Sequence, residues 1–263
     1  MSYFYFDPAY LSNMSDRFSA EYQGAKPFPH VVIDNFVPDE RVVDEVIAEF
    51  PARDSLDWIH YNQATEKKLA SRDEAQLGPV TRHLLQQFNS SHFCLFLEKL
   101  TAIQGIIADP HFWGGGLHQI ERGGFLKIHS DFNWYDKLKL DRRLNLLLYL
   151  NRNWKEDYGG HLELWSADMK HCGRKILPVA NRCVIFSTNS TSFHGHPEAL
   201  PCPEGWTRKS LALYYYSNGR REDEKTYSTV FKARPGETLS DVKSIVRSLI
   251  PPLLLDIVRK FRA

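Results

Sequence analysis

Residues 123–131 read Gly123-Gly124-Phe125-Leu126-Lys127-Ile128-His129-Ser130-Asp131. A glycine pair opens a short apolar run, and the run ends on a histidine and an aspartate two positions apart. Side chains alternate between the faces of a β-strand, so His129 and Asp131 project to one side while Ile128 and Ser130 point to the other. One imidazole and one carboxylate therefore converge on a point. Much later, Phe193-His194-Gly195-His196 offers further imidazoles from a second short run. Two histidines and one carboxylate make a facial triad with open coordination positions, which suits iron(II). The same donors suit zinc, so ligand type alone does not choose the metal. A strand would place 194 and 196 on one face, so proximity alone does not choose the third ligand either.

Outward from this stretch, the chain beyond residue 110 consists of short runs separated by turn clusters: 117–121, 125–130, 144–150, 162–165, 183–187 and 210–216. Many short strands in succession predict a sandwich or barrel. Upstream, 29–36 is short, β-branched and bounded by turn residues, and predicts a strand. Pro38-Asp39-Glu40 opens a helix on which Val42, Val43, Val46, Ile47 and Phe50 recur at helical spacing until Pro51. Between Gly78 and Gln104, Val80, Leu84, Leu85, Phe88, Phe93, Phe96, Leu97 and Leu100 predict one or two more amphipathic helices covering a sheet. In the tail, Leu239-Ser240-Asp241 starts a helix carrying Val242, Ile245, Val246 and Leu249. Pro251-Pro252 interrupts it, and 253–261 reads as a second amphipathic segment with basic residues at its end. Packing on the core, or a peripheral membrane or partner contact, are both open for this tail.

With 43% apolar and 25% charged residues, the 263-residue chain has ordinary globular composition. It shows no repeat and no linker-like tract. The expected organisation is one domain over 1–238, with a β core at about 110–220 and helical support before it, followed by the amphipathic tail 239–263. The net charge of +1 gives no long-range attraction for nucleic acid. Cys94, Cys172, Cys183 and Cys202 show no CxxC spacing and are too sparse for a disulfide framework. A reducing, cytoplasmic setting is expected. Residues 1–18 lack a basic region followed by an apolar run, and no apolar stretch is long enough to span a bilayer.

The ordered set of motifs resembles the 2-oxoglutarate and iron(II) oxygenase superfamily, in particular its prolyl-4-hydroxylase-like branch. After Gly123 to Asp131 come Arg143-Leu144-Asn145, Tyr149-Leu150-Asn151 and Trp154, then Gly159-Gly160-His161-Leu162-Glu163-Leu164. Pro178, Asn181-Arg182, Val184-Ile185-Phe186-Ser187, Ser192-Phe193-His194-Gly195 and Thr207-Arg208-Lys209-Ser210-Leu211 follow. The resemblance covers about residues 117–217 and, more loosely, reaches back to Pro27. It implies a mainly β fold with flanking helices around a double-stranded β-helix, the jelly-roll core shared with cupins. It also implies a metal site of His129, Asp131 and His194, with His194 preferred to His196.

The resemblance places Arg208 at the basic position that holds the distal carboxylate of 2-oxoglutarate, which a planar guanidinium can grip through two parallel hydrogen bonds. Lys209 is the fallback and should face the opposite way. Tyr149 matches a tyrosine that hydrogen-bonds the cosubstrate, and Asn145, four residues earlier on the same face, is a further candidate for that pocket. The implied cofactors are Fe(II), 2-oxoglutarate and O2, with ascorbate as an accessory reductant. The implied activity is a dioxygenase that hydroxylates an unactivated C–H bond and releases succinate and CO2. Peptidyl proline, a small molecule, a carbohydrate and a lipid-linked compound are all open as substrate, and the oligomeric state is open too. A non-catalytic 2-oxoglutarate sensor and a zinc hydrolase are the competing classes. Thirteen residues separate His194 from Arg208, so 197–206 is expected to be a looped insertion at the substrate entrance.

Overall fold

The computed structural model describes residues 4–219 and 225–237. The expected tail helices of 239–263 lie outside the described residues. In chain order the elements begin with α1 (Pro8–Gly24), β1 (His30–Ile33), α2 (Glu40–Ala48), β2 (Ile59–Asn62) and β3 (Glu66–Ala70). Next come α3 (Pro79–Phe88), α4 (Ser91–Thr101), β4 (Ile107–Ala108), β5 (Gly116–Glu121), β6 (Phe125–Ser130), β7 (Trp134–Tyr135) and β8 (Leu140–Tyr149). The chain continues through β9 (Leu162–Trp165), β10 (Cys172–Ile176), β11 (Cys183–Ser187), β12 (Phe193–His196), β13 (Thr207–Ser217) and β14 (Val230–Phe231).

All these strands form one antiparallel sheet whose main path runs β1-β11-β8-β13-β5-β3-β6-β12-β9-β10. The sheet curls into the double-stranded β-helix, and the helices pack on its outside. Alternation sorts the side chains accordingly. Leu144, Leu146 and Leu148 of β8 and Cys183 and Ile185 of β11 join the core shared with the helices. Tyr149 of β8 and Val184 and Phe186 of β11 turn into the barrel. Because both faces are covered, 144–150 reads as an almost unbroken apolar run.

The helices are held by caps as well as by burial. Asp39 caps α2, and its Val42, Val43 and Val46 are buried, as their spacing predicts. The helix stops at Ala48, and Glu49 beyond it caps a different helix. Gly78, the N-cap of α3, has no side chain to offer, and the Glu49 carboxylate instead accepts from Val80 N at 3.1 Å and Thr81 N at 2.9 Å. A Cβ on Gly78 would lie 2.3 Å from that carboxyl carbon. Helix α1 has no counterpart in the sequence reading. Its buried residues are only Leu11, Ser15 and Tyr22, too few for a visible stripe, and it forms from a capping Asp7 followed by proline. The charged hairpin of β2 and β3 escapes notice for a similar reason, since Glu66-Lys67-Lys68 shows no apolar alternation.

Asn181 ties α2 to the sheet from a left-handed φ of 58°. Its side chain accepts from Val37 N at 2.8 Å and donates to Val37 O at 2.9 Å, and Val37 is buried. Asn181→Ala strands both backbone groups away from water and should lower the unfolding free energy by roughly 2–4 kcal/mol in urea denaturation.

Candidate metal centre

The metal candidates meet through strand pairing. β12 lies antiparallel to β6 with His194 directly opposite His129, and their rings sit 4.5 Å apart. Asp131 follows β6 by one residue, and its oxygens lie 3.6 Å from His129 Nε2 and 3.4 Å from His194 Nε2. All three residues are buried, and one donor atom from each falls within 4.8 Å of the other two. The imidazoles are set up to bind a cation. His129 Nδ1 donates to Lys127 O at 2.9 Å, and His194 Nδ1 donates to Ser192 O at 3.0 Å. A carbonyl only accepts, so each Nδ1 carries the proton and each Nε2 presents its lone pair inward. Burial, reinforced by His129, holds His194 down at about 4, so its ring is neutral near neutral pH. The donor set thus fits iron(II), with two imidazole nitrogens and one carboxylate on one side of the site.

The carboxylate is held from behind. Asn145 Nδ2 donates to Asp131 Oδ2 at 2.8 Å, and Arg142 Nη2 lies 3.2 Å from the same oxygen. Arg142 also donates to Asn145 Oδ1, at 3.1 Å from Nε and 2.7 Å from Nη2. Its guanidinium carbon stands 3.6 Å from the Tyr214 ring centroid and 4.6 Å from that of Phe132. Burial alone would raise the Asp131 carboxyl, but Arg142, with the two histidines behind it, holds it well below the usual range. Asn145 was expected to line the cosubstrate pocket with Tyr149. Its side-chain amide donates to Asp131, and four residues of strand set it about 13 Å from Tyr149 along the backbone.

Arg142 was missed for a geometric reason. Tyr215 pairs with Leu144 but Tyr216 pairs with Arg142, so Arg143 is the extra residue of a bulge. Strict alternation would not bring 142 and 145 together, and the bulge does. Phe186 packs edge-on against His194 at 4.7 Å, and Phe231 lies 5.4 Å from His129. Phe231 belongs to β14, which pairs with the end of β6 at Ser130 and His129.

Deeper in the barrel Arg208 is 5% exposed. Its Nε donates to Gly160 O at 2.7 Å and its Nη2 to Tyr149 Oη at 3.1 Å. Burial pulls the guanidinium below its ordinary value, and burial pushes the Tyr149 phenol up. Among the described residues no carboxylate pairs with Arg208, whereas Lys68 has Glu66 at 3.0 Å and Arg142 has Asp131. A buried guanidinium without a counter-charge is costly, and an anionic ligand removes that cost. Gly160 is required here: at φ +70° a Cβ would stand 2.6 Å from Leu200 and 2.9 Å from Arg208 Cδ.

Lys209 faces the other way and lies over the Phe50 ring. The 197–206 loop holds no regular element, and its Leu200 lies with Arg208 against the Gly160 position. Leu200 is buried with Ile120, Trp154 and Cys202 and exchanges backbone hydrogen bonds with Gly123 and Gly124. Burial, then Lys68, takes His118 down to about 3, and His161 is outside the site, bonded to Glu156.

A curled antiparallel barrel with two histidines, a carboxylate and a lone buried guanidinium defines a metal-dependent enzyme that takes an anionic cosubstrate. Residues 115–216 match the family described as 2OG-Fe(II) oxygenase superfamily. That match takes in β5 to nearly all of β13 and contains His129, Asp131, His194, Tyr149 and Arg208.

The chain is 25% identical to mouse (Mus musculus) prolyl 3-hydroxylase OGFOD1 over 197 residues, covering 72% of this chain and 33% of the relative. The chain thus spans about a third of the length of that curated relative. Among solved structures, a Pseudomonas putida prolyl-4-hydroxylase superposes with a TM-score of 0.54 at 21% identity, over 80% of this chain and 100% of the other. A Trichoplax adhaerens prolyl hydroxylase, solved with a peptide fragment of the hypoxia inducible factor oxygen degradation domain, gives 0.57 at 16% identity, over 79% and 90%. At these identities the superpositions speak for the fold.

Removing the support behind Asp131 should loosen the metal without emptying the site. Arg142→Gln is expected to weaken iron(II) or manganese(II) binding about ten- to a hundredfold by isothermal titration, while the thermal unfolding transition remains cooperative.

Proposed function

We propose that this dioxygenase hydroxylates a prolyl residue in a peptide, with His129, Asp131 and His194 as the iron ligands and Arg208 and Tyr149 as the cosubstrate anchor. The observation that carries the reading is three inward-facing metal donors sharing one barrel with a buried guanidinium that has no carboxylate partner among the described residues. A sensor needs the same anchor but no substrate, and a zinc hydrolase leaves Arg208 without a role.

When bound, iron(II) supplies oxygen activation, with 2-oxoglutarate giving up two electrons as it is cleaved to succinate and CO2. The chain's own residues do the rest. His129 and His194 present their Nε2 atoms, and Asp131 presents a carboxylate kept ionised by Arg142. Arg208, fixed by Gly160 O and Tyr149 Oη, keeps unused N–H donors for the far carboxylate of the keto-acid. Phe186 and Phe231 pack on the two imidazoles and restrict water at the ligand rings.

The prolyl substrate is supported by the names of the relatives and by an aromatic group beside the metal ligand. Trp113, 52% exposed, stacks on Tyr135 at 4.8 Å and lies 5.3 Å from Phe132, the residue after Asp131. Aromatic faces of this kind pack well against a saturated ring.

Purified chain given iron(II), ascorbate, oxygen and 2-oxoglutarate is expected to release succinate slowly without substrate and faster with a proline-containing peptide, which gains one oxygen by mass spectrometry. Oxygen gain on sugar nucleotides or free amino acids but not on peptides would reassign the substrate, and an absence of succinate would favour the sensor. His129→Ala or Asp131→Ala should abolish succinate release together with iron binding. Arg208→Ala is expected to retain iron but raise the 2-oxoglutarate concentration for half-maximal turnover at least about tenfold. An unchanged requirement in that variant would remove Arg208 from the anchor.

A further inference from the structure

His196 is 3% exposed, and neither of its ring nitrogens has a hydrogen-bond partner. The neighbouring histidines differ: His129 and His194 each donate to a carbonyl through Nδ1, and His118 Nε2 bonds Gly114 O. A buried imidazole with both polar atoms unsatisfied is costly, and an acceptor entering the barrel would remove that cost. It shares β12 with His194 but is not part of the cluster of metal donors. Gly195 between them lets β12 lie tight on β6, since a Cβ there would stand 2.7 Å from Leu126 O and 2.8 Å from Lys127 O.

Burial, then Arg208, Lys68 and His129, disfavours a charge on the His196 ring, so its surroundings in the barrel are cationic. Arginine and lysine offer only donors, so neither can accept the N–H of a neutral imidazole. That N–H needs an acceptor, and Arg208, which acts electrostatically on the same ring, needs an anion. One carboxylate, with about four lone-pair sites, satisfies both.

We propose that His196 is a cosubstrate-contacting residue that donates a ring N–H to the distal carboxylate of 2-oxoglutarate alongside Arg208, and so helps select a dicarboxylic keto-acid over a monocarboxylic one. This rests on the reading of the site as an iron and 2-oxoglutarate centre.

The test is anaerobic titration of the iron(II)-loaded full chain, following the visible charge-transfer band that keto-acid chelation gives iron(II). The probes are 2-oxoglutarate and 2-oxobutyrate, which lacks the distal carboxylate. His196→Leu should weaken 2-oxoglutarate binding about ten- to a hundredfold, leave 2-oxobutyrate binding within about twofold, and His196→Gln, which keeps a donor, should recover most of the loss. Iron affinity, measured separately, should stay unchanged in both variants, and intact 2-oxobutyrate binding shows that the barrel has folded.

The proposal is overturned if 2-oxoglutarate affinity is unaffected, if both keto-acids weaken equally, or if iron itself is lost, which would make His196 a ligand. A wild-type chain that binds iron but shows no 2-oxoglutarate band would instead sink the underlying reading, and this proposal with it.

Discussion

The site depends on one register. Pairing β12 with β6 so that His194 faces His129 brings two imidazoles from opposite ends of a long sequence interval to a ring separation of 4.5 Å. A slip of one residue would turn every side chain of β12 to the other face and remove a metal donor from the barrel. The backbone enforces the register with side-chain help. Gly195 allows the close approach of the two strands, and the Nδ1 bonds to Lys127 O and Ser192 O lock each ring to its own strand. Metal geometry is therefore a property of sheet pairing before it is a property of the individual ligands.

Around that register the buried charges are balanced unevenly. Asp131 is matched by Arg142 and Lys68 by Glu66, but Arg208 has only a phenol and a carbonyl among the described residues. Two positions are therefore arranged for guests of opposite sign: the triad for a cation, and the end of the barrel near Arg208 for an anion. A molecule that chelates the metal at one end and carries a carboxylate at the other neutralises both with a single binding event. The arrangement also explains the glycine at 160, whose missing side chain leaves room for the guanidinium and Leu200 together.

Much of this was legible in the sequence, because the physics behind it is local. Alternation alone brought His129 and Asp131 to one face, and coverage on both sides of the sheet made the 144–150 and 183–187 runs conspicuous. What escaped depends on tertiary context. Helix α1 buries too few apolar residues to leave a stripe, and β3 joins the sheet through Glu66-Lys67-Lys68, where charge hides the strand. Arg142 reaches Asp131 only because a bulge at Arg143 breaks strict alternation between 142 and 145. The place of the 197–206 loop follows from Leu200 docking against Gly123 and Gly124, a contact with no signature in the loop's own composition.

The pairing of β14 with the end of β6 links distant parts of the chain. β3 partners the first half of β6 and β14 the second, so the strand that carries His129 has no open edge at its metal-bearing end. Phe231 rests on the His129 ring, and Tyr227 N donates to Asn133 Oδ1 just beyond the triad aspartate. By thermodynamic linkage, whatever steadies His129 also steadies the 225–237 segment, and whatever draws that segment away loosens the ligand. A stretch with no ligand of its own is thus coupled to occupancy of the centre.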